Sequence, residues 1–417
     1  MKWHAFKQTI FLLRRDYKFK FNAFICDAPA RQMIKCVKSQ RGYWSCERCK
    51  NEGRMVRRSM CQIFETVGRS RDPALFPEPR TDDEFENFAY DGTHQNDLSP
   101  IVTSGANVKS VSQFILDYMH CVCLGVMKKL LIVMFKSGAR ALWAKGKVSE
   151  RLGSIRLPAD LFQRQPRSLD NVERFKATEF RTFMLYTGPV VLKGLINEQR
   201  YKHFLNLTVA MSILLDSNHG YRMAKMELAR ELLIDFVFDA EDIYGPKFIS
   251  YNTHTLIHIA DDVERFRCSL NEISAFPFEN HLQRLKKSLK NPRNPVTQLV
   301  RKIKGLENVN LDQKTSVDEV VIGTSQQDRY FSLGSKVAVV KEKQPNEEYV
   351  CDLYRIEDLH SFFESPRDSK MVDIFHLKNN TNFRRKMLKR NNLCQKILGI
   401  EHPEGDGFIL LKLRHHA

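Results

Sequence analysis

The chain has 417 residues, 42% apolar and 28% charged, which excludes a disordered polyelectrolyte and is long enough for two or three domains. Lysine and arginine outnumber aspartate and glutamate by 66 to 49, a formal charge of +17, which points to a polyanionic partner, nucleic acid first, with a merely solubilising surface as the bland alternative. No apolar run approaches the ~18 residues of a membrane span and no secretory leader is visible, so ten scattered cysteines read as those of a reduced intracellular protein, where a C-x-x-C is metal-binding or redox-active.

In chain order, Trp3, Phe6, Ile10 and Leu13 predict a helix over residues 1–16. The alternating KFKFNAFIC, Lys18 to Cys26, reads as a strand that ends at Asp27-Ala28-Pro29. A short helix over Ala30 to Val37 would carry Arg31, Lys35 and Lys38 on a basic face. Gly42 to Arg54 is a turn holding Cys46 and Cys49, and Arg57 to Val67 is a short extended or helical piece. The Pro-, Asp- and Gly-rich residues 68–100 read as loop, with one helix near Thr81 to Asn87.

From Ser112 the pattern turns helical. Helices are expected from Leu116 to Lys136, Asn171 to Phe183, Pro189 to Leu195, Glu198 to Asp216 and Arg222 to Val237, with no strand among them. Ser250 to Phe266 and Phe276 to Leu289 continue the series, Asn291 to Pro295 breaks it, and Val296 to Lys304 is a short basic helix. After a polar connector, strands are expected at Lys336 to Val340, Tyr349 to Tyr354, Val372 to Leu377 and Phe408 to Leu413.

Four groups of residues could carry chemistry. Cys46 and Cys49 form a C-x-x-C, and His254 and His258 sit at i and i+4 on one helix face, a Cys₂His₂ set if the distant halves meet. The bland alternative is a packed helix with satisfied histidines. Asp27 at a strand end and Glu279 early in a helix could converge on hydrated divalent metal, although Asp before Pro is a common turn residue and Glu near a helix start is favoured by the dipole. Asp117 and His120, at i and i+3, face the same way. Arg284, Lys286, Lys287, Lys290 and Arg293 follow Glu279 and would hold a DNA backbone, unless they are only a solvated helix face.

The blocks FICDAPARQMIKCVKSQRGYWSCERC, LDYMHCVCLGVMKKLL, KATEFRTFMLYTGPVVLKGL, YNTHTLIHIADDV and SAFPFENHLQRLKK, in this order, resemble animal transposases of the En/Spm (CACTA) cut-and-paste class. The likeness runs from about residue 18 to 300 and is weaker in the tail. It implies an RNase H-like core with two Asp and one Glu on divalent metals, Mg²⁺ or Mn²⁺, and a helical insertion between the second Asp and the Glu. By that resemblance Asp27 is the second Asp, Glu279 the Glu, and Asp117 with His120 the D-x-x-H signature. Cys46, Cys49, His254 and His258 match a structural zinc site of the related antigen-receptor recombinase core. The implied partner is DNA and the implied location the nucleus; no membrane is expected, and a homodimer is left open.

One departure stands out. The family's first Asp lies on the first core strand, and only 26 residues precede Asp27, with Asp16 at a helix end. The expectation is therefore a mainly α protein with a partial α/β (RNase H-like) core remnant and a small β-rich C-terminal module. Its parts are residues 1–50 (partial core), 51–250 (largely helical insertion), 251–305 (returning core helices), 306–328 (linker) and 329–417 (β-rich module). The expected function is that of a transposase-derived protein whose ancestral DNA cleavage and strand transfer is defective for want of one carboxylate. The alternative is a domesticated protein-interaction scaffold without DNA chemistry.

Overall fold

The computed structural model describes residues 21–56, 61–64, 71, 76–105, 108–291, 293–307 and 320–415. Helix dominates up to Glu307 and antiparallel sheet follows from Tyr330, with about 47% of the chain helical. The fold is thus mixed α/β, with its sheet gathered at the C-terminal end. The expected helix over residues 1–16 and the first residues of the expected strand lie outside the described residues.

Helix α1 (Ala28–Lys35) shows how local chemistry sets the boundaries. Asp27 is its N-cap, its carboxylate accepting from Ala30 N at 2.8 Å, and Pro29 occupies the first turn, where its missing N–H costs nothing. Cys36 ends the helix in the left-handed region at φ 55°. Two short helices follow, α2 (Asp82–Glu86) and α3 (Pro100–Thr103), capped by Thr81 and Ser99. A π-helix, Met119–Met127, then runs into α4 (Lys128–Met134). The helical body continues with α5 (Ala139–Ser154), α6 (Ala177–Thr182), a second π segment at Phe183–Thr187, α7 (Gly188–Leu192), α8 (Glu198–Leu214), α9 (His219–Ala224) and α10 (Met226–Tyr244). Helix α8 is buried nearly all round and packs along α10, which fits its lack of a polar face. Helices α11 (Tyr251–His254) and α12 (Ile259–Phe266) are joined by a 3₁₀ turn, Thr255–His258, and α13 (Phe276–Ser288) and α14 (Pro295–Glu307) close the series.

One expectation is corrected in this part. The extended alternative for Arg57 to Val67 is found at β2 (Cys61–Ile63), which pairs antiparallel with β1 (Arg54–Val56). The expected strand ending at Asp27 is not a sheet strand over its described residues: among the described residues it makes one isolated parallel bridge, Phe24 to Phe114. Phe24 N donates to Gln113 O at 2.7 Å, and Ile115 N donates to Phe24 O at 3.1 Å.

The C-terminal sheet has eight strands: β3 (Tyr330–Ser332), β4 (Lys336–Gln344), β5 (Glu348–Arg355), β6 (His360–Ser361), β7 (Ile374–Leu377), β8 (Arg384–Lys389), β9 (Gln395–Glu401) and β10 (Phe408–Lys412). Their order is β6-β7-β10-β9-β3-β4-β5-β8, with every pairing antiparallel. The edge strand β8, RRKMLK, is almost wholly exposed and charged, which protects the sheet edge from further pairing. Ile374, Leu398, Ile400, Ile409 and Leu411 join the core that contains α8 and α10. Buried and part-buried ion pairs fasten the same junction. Lys396 Nζ lies 2.9 Å from Asp160 and 2.7 Å from Asp328, and Lys412 Nζ lies 3.2 Å from Asp216 at the end of α8.

Candidate metal centre and carboxylate pair

The Cys-containing turn is held from outside. Lys50 N donates to Glu78 O and Arg80 N to Arg48 O, both at 2.8 Å, and the Arg80 guanidinium donates to Cys46 O at 2.9 Å. His254 ends α11 and His258 ends the 3₁₀ turn after it, so the i, i+4 relation survives in a slightly overwound helix. Gly125 of the π-helix allows this approach, since a Cβ there would lie 2.5 Å from the Asn252 amide.

The four side chains converge. One ligand atom from each of Cys46, Cys49, His254 and His258 lies within 4.8 Å of the others. The Cys46 and Cys49 sulfurs are 3.5 Å apart, and Cys49 Sγ is 3.3 Å from His254 Nε2. A tetrahedral zinc with bonds of about 2.3 Å to sulfur and about 2.0 Å to nitrogen would space its ligands by roughly 3.3–3.8 Å. The sulfurs are too far apart for a disulfide, which needs about 2.05 Å. His258 Nε2 is buried with no hydrogen-bond partner, as a nitrogen kept for a cation would be. Burial pushes the Cys46 thiol up, but the hydrogen bond from Cys49 and the fields of His254 and His258 outweigh it and hold Cys46 well below the usual thiol range. Cys49, as donor to that thiolate and buried beside it, is raised well above the usual range. The donor set fits a metal such as zinc.

The residues between the cysteines were not singled out in the sequence, yet they fix the site. Glu47 accepts from Arg31 at 3.0 Å, Lys35 at 2.8 Å and the Tyr251 hydroxyl at 2.8 Å. Arg48 points the other way, to Asp262 at 2.6 Å and Phe114 O at 2.6 Å. Asp262 also accepts from Leu116 N at 2.9 Å. One C-E-R-C turn therefore clamps α1, the 111–116 segment, α11 and α12. The expected basic face of α1 is corrected accordingly: Arg31 and Lys35 are 3% and 1% exposed and turn inward onto Glu47. The available signal was a pair of opposite charges enclosed between two cysteines.

Asp117 is fully buried and works as a strut. One carboxylate oxygen accepts from Ala275 N at 2.7 Å, at the start of α13; the other accepts from His120 N at 3.0 Å and faces His120 Nδ1 at 2.5 Å. It thus joins the π-helix to the helix bearing Glu279. The His120 imidazole is half-buried, and its proton affinity is raised chiefly by the Asp117 hydrogen bond, against burial, with Asp27 and Glu279 adding to it. The fields of Asp27 and Glu279, 252 positions apart in the sequence, thus both reach His120. Asp27 has one oxygen committed to capping α1, and Glu279 is exposed.

Arg284, Lys286 and Lys287 on α13, and Lys290 and Arg293 just after it, are exposed, and among the described residues none pairs with a carboxylate. Lys286, seven residues from Glu279, shares its helix face. The Cys121 and Cys123 pair, by contrast, is packed in the core, where burial pushes the thiols up to about 11 and about 12. His415 bonds the Tyr186 hydroxyl at 2.7 Å, and the neighbouring His416 lies outside the described residues. Comparisons with protein families, curated proteins and solved structures return no match to this chain.

The His120 arrangement makes a prediction. Its imidazole is raised above the ordinary value of ~6.5. The stabilisation from its ion pair with Asp117 is therefore fully present below about 6.5 and is lost as pH rises through the folded value. An NMR titration of His120 should give a midpoint above that of an unfolded histidine, and Glu279→Gln should lower it. A midpoint unmoved by Glu279→Gln would mean that Glu279 does not face this ring.

Proposed function

We propose that the chain is the core portion of a CACTA-like DNA transposase, RNase H-like in ancestry, acting on DNA in the nucleus. The observation that carries this reading is convergence. Asp27 and Glu279 both act on His120 at a first place, the three residues being distributed over three of the resembling blocks, and Cys46, Cys49, His254 and His258 meet at a second. The metal of the second place is zinc in this reading, and its role is structural. The first place would hold a divalent ion against a phosphodiester, with Lys286, Lys287 and their neighbours holding the strand. With two candidate carboxylates in this reading, positioning of two metals is incomplete, and this chain alone binds DNA but cuts it weakly or not at all.

The test is DNA binding as a function of salt, followed by cleavage with Mg²⁺ or Mn²⁺. Duplex affinity should fall steeply with salt, and each of Lys286→Gln and Lys287→Gln should reduce the slope by about one. Robust Mg²⁺-dependent nicking that disappears in Asp27→Ala would replace the defective enzyme by an active one. A scaffold reading has one observation of its own: Phe278, Leu282, Val296, Val300 and Ile303 expose apolar surface on α13 and α14, between 45% and 71% each. Binding to DNA that is absent or indifferent to salt would favour it.

A further inference from the structure

A cavity of about 650 Å³ opens between the 159–167 loop, α6 with its π extension, and the start of α13. Its volume lies in the range of small-molecule and nucleotide sites. Four arginines line it: Arg164, Arg167, Arg181 and Arg284. Arg167 is neutralised by Glu179 at 2.6 Å, and Asp160 in the wall is taken by Lys396 at 2.9 Å. Among the described residues, no carboxylate pairs with Arg164, Arg181 or Arg284. Glu272 is the one further acidic residue in the lining, so the wall carries surplus positive charge.

Arg181 is the most constrained of the three. Its Nε is buried with no hydrogen-bond partner, and its guanidinium lies over the Phe276 ring, 4.4 Å from the centroid. A half-buried guanidinium without a counter-charge costs free energy that an anion would recover. Phe276, Phe162 and Phe175 add aromatic surface, and Asn280 contributes an amide from α13. Pro277, Asn280 and Arg284 form one stripe of α13, turned roughly 130° from Glu279 about the helix axis. A strand reaching the carboxylates could therefore continue over α13 into the cavity.

We propose that this cavity binds a phosphate carried on a nucleoside, with Arg181 and Arg164 as its principal contacts and Arg284 at its rim. The phosphate could belong to a free nucleotide or to a single strand; only the second source rests on the transposase reading. Two probes separate them: AMP, followed calorimetrically, and a short labelled oligothymidylate, followed by anisotropy. Arg181→Gln should weaken binding about tenfold or more, the usual scale for losing a charge-assisted hydrogen bond. Arg164→Gln, on an exposed loop where folding is not at risk, should weaken it several-fold.

Loss for AMP alone supports a free-nucleotide site, loss for the oligonucleotide alone a strand site, and parallel loss a site that accepts both. Folded Arg164→Gln and Arg181→Gln proteins with wild-type affinity for both probes overturn the proposal, as does an Arg181→Gln protein that cannot fold beside an Arg164→Gln protein of unchanged affinity. These outcomes are independent of duplex binding through Lys286 and Lys287, so a failed transposase reading would leave the AMP result standing.

Discussion

Replacing Cys49 by serine, or stripping a metal bound at the Cys/His cluster with a strong chelator, is expected to destabilise the helical body by at least ~3 kcal/mol and, with zinc as the proposed metal, to release about one ion per chain. The ligands lie in two groups 205 positions apart. Closing a loop of that length removes roughly 5 kcal/mol of chain entropy from the unfolded state, as a disulfide would, before any bond energy is counted. Without the metal, two buried thiols and two imidazoles face each other, and His258 Nε2 has no partner at all. Metal analysis together with denaturation midpoints, with and without chelator, measures both parts. Full stability and unchanged zinc content in Cys49→Ser would reject the ligand set.

The loss should spread to Asp27 and Asp117, which are tied to the metal turn by covalent and hydrogen-bonded links. Asp27 caps α1, and α1 is held to the Cys turn by Arg31 and Lys35. Arg31 also donates to Cys26 O at 2.8 Å and Ile115 O at 3.2 Å, bracketing Asp27. On the other side, His258 is followed by Asp262, which receives Arg48 and the Leu116 N–H just before Asp117. A metal-free protein should therefore lose the raised His120 titration as well as thermal stability.

Much of the helical body was legible because its cores are written in three- and four-residue steps; α8 and α13 fall within a few residues of their expected ends. The helix expected near Thr81 was also legible, since Thr81 and Glu84 form a recognisable N-terminal pair. Strands β8 and β9 were not. The exposed RRKMLK has no apolar alternation, and in QKILGIE five consecutive residues are buried, because β9 lies inside the sheet with both faces covered. The metal ligands could be named from types and spacing, but their meeting is a tertiary fact. Arg31 and Lys35 misled for the same reason: a basic i, i+4 pair looks identical whether it faces water or a buried Glu47.

Changing Glu47 to glutamine should destabilise the protein by about 3–5 kcal/mol while leaving zinc content near one per chain. Glu47 shares one carboxylate between two buried cations. Burial pushes its acidity down, yet Arg31 and Lys35 overcome that and hold the carboxyl well below the usual range. The three members do not gain equally. Arg31 keeps its proton against burial because Glu47 and Tyr251 hold it, whereas burial lowers the Lys35 ammonium by more than Glu47 restores. One negative charge for two positive ones leaves Lys35 as the weaker partner. Glutamine keeps the shape and can accept one hydrogen bond, but it leaves both cations without a counter-charge. A second substitution discriminates. Lys35→Met in the Glu47→Gln background should recover part of the loss, because it removes one stranded charge and fills the site with apolar volume, whereas Lys35→Met alone should cost less than Glu47→Gln alone. Urea denaturation of the four proteins measures the coupling. A Glu47→Gln change within about 0.5 kcal/mol of wild type would mean that the turn is held by its metal and not by its charges.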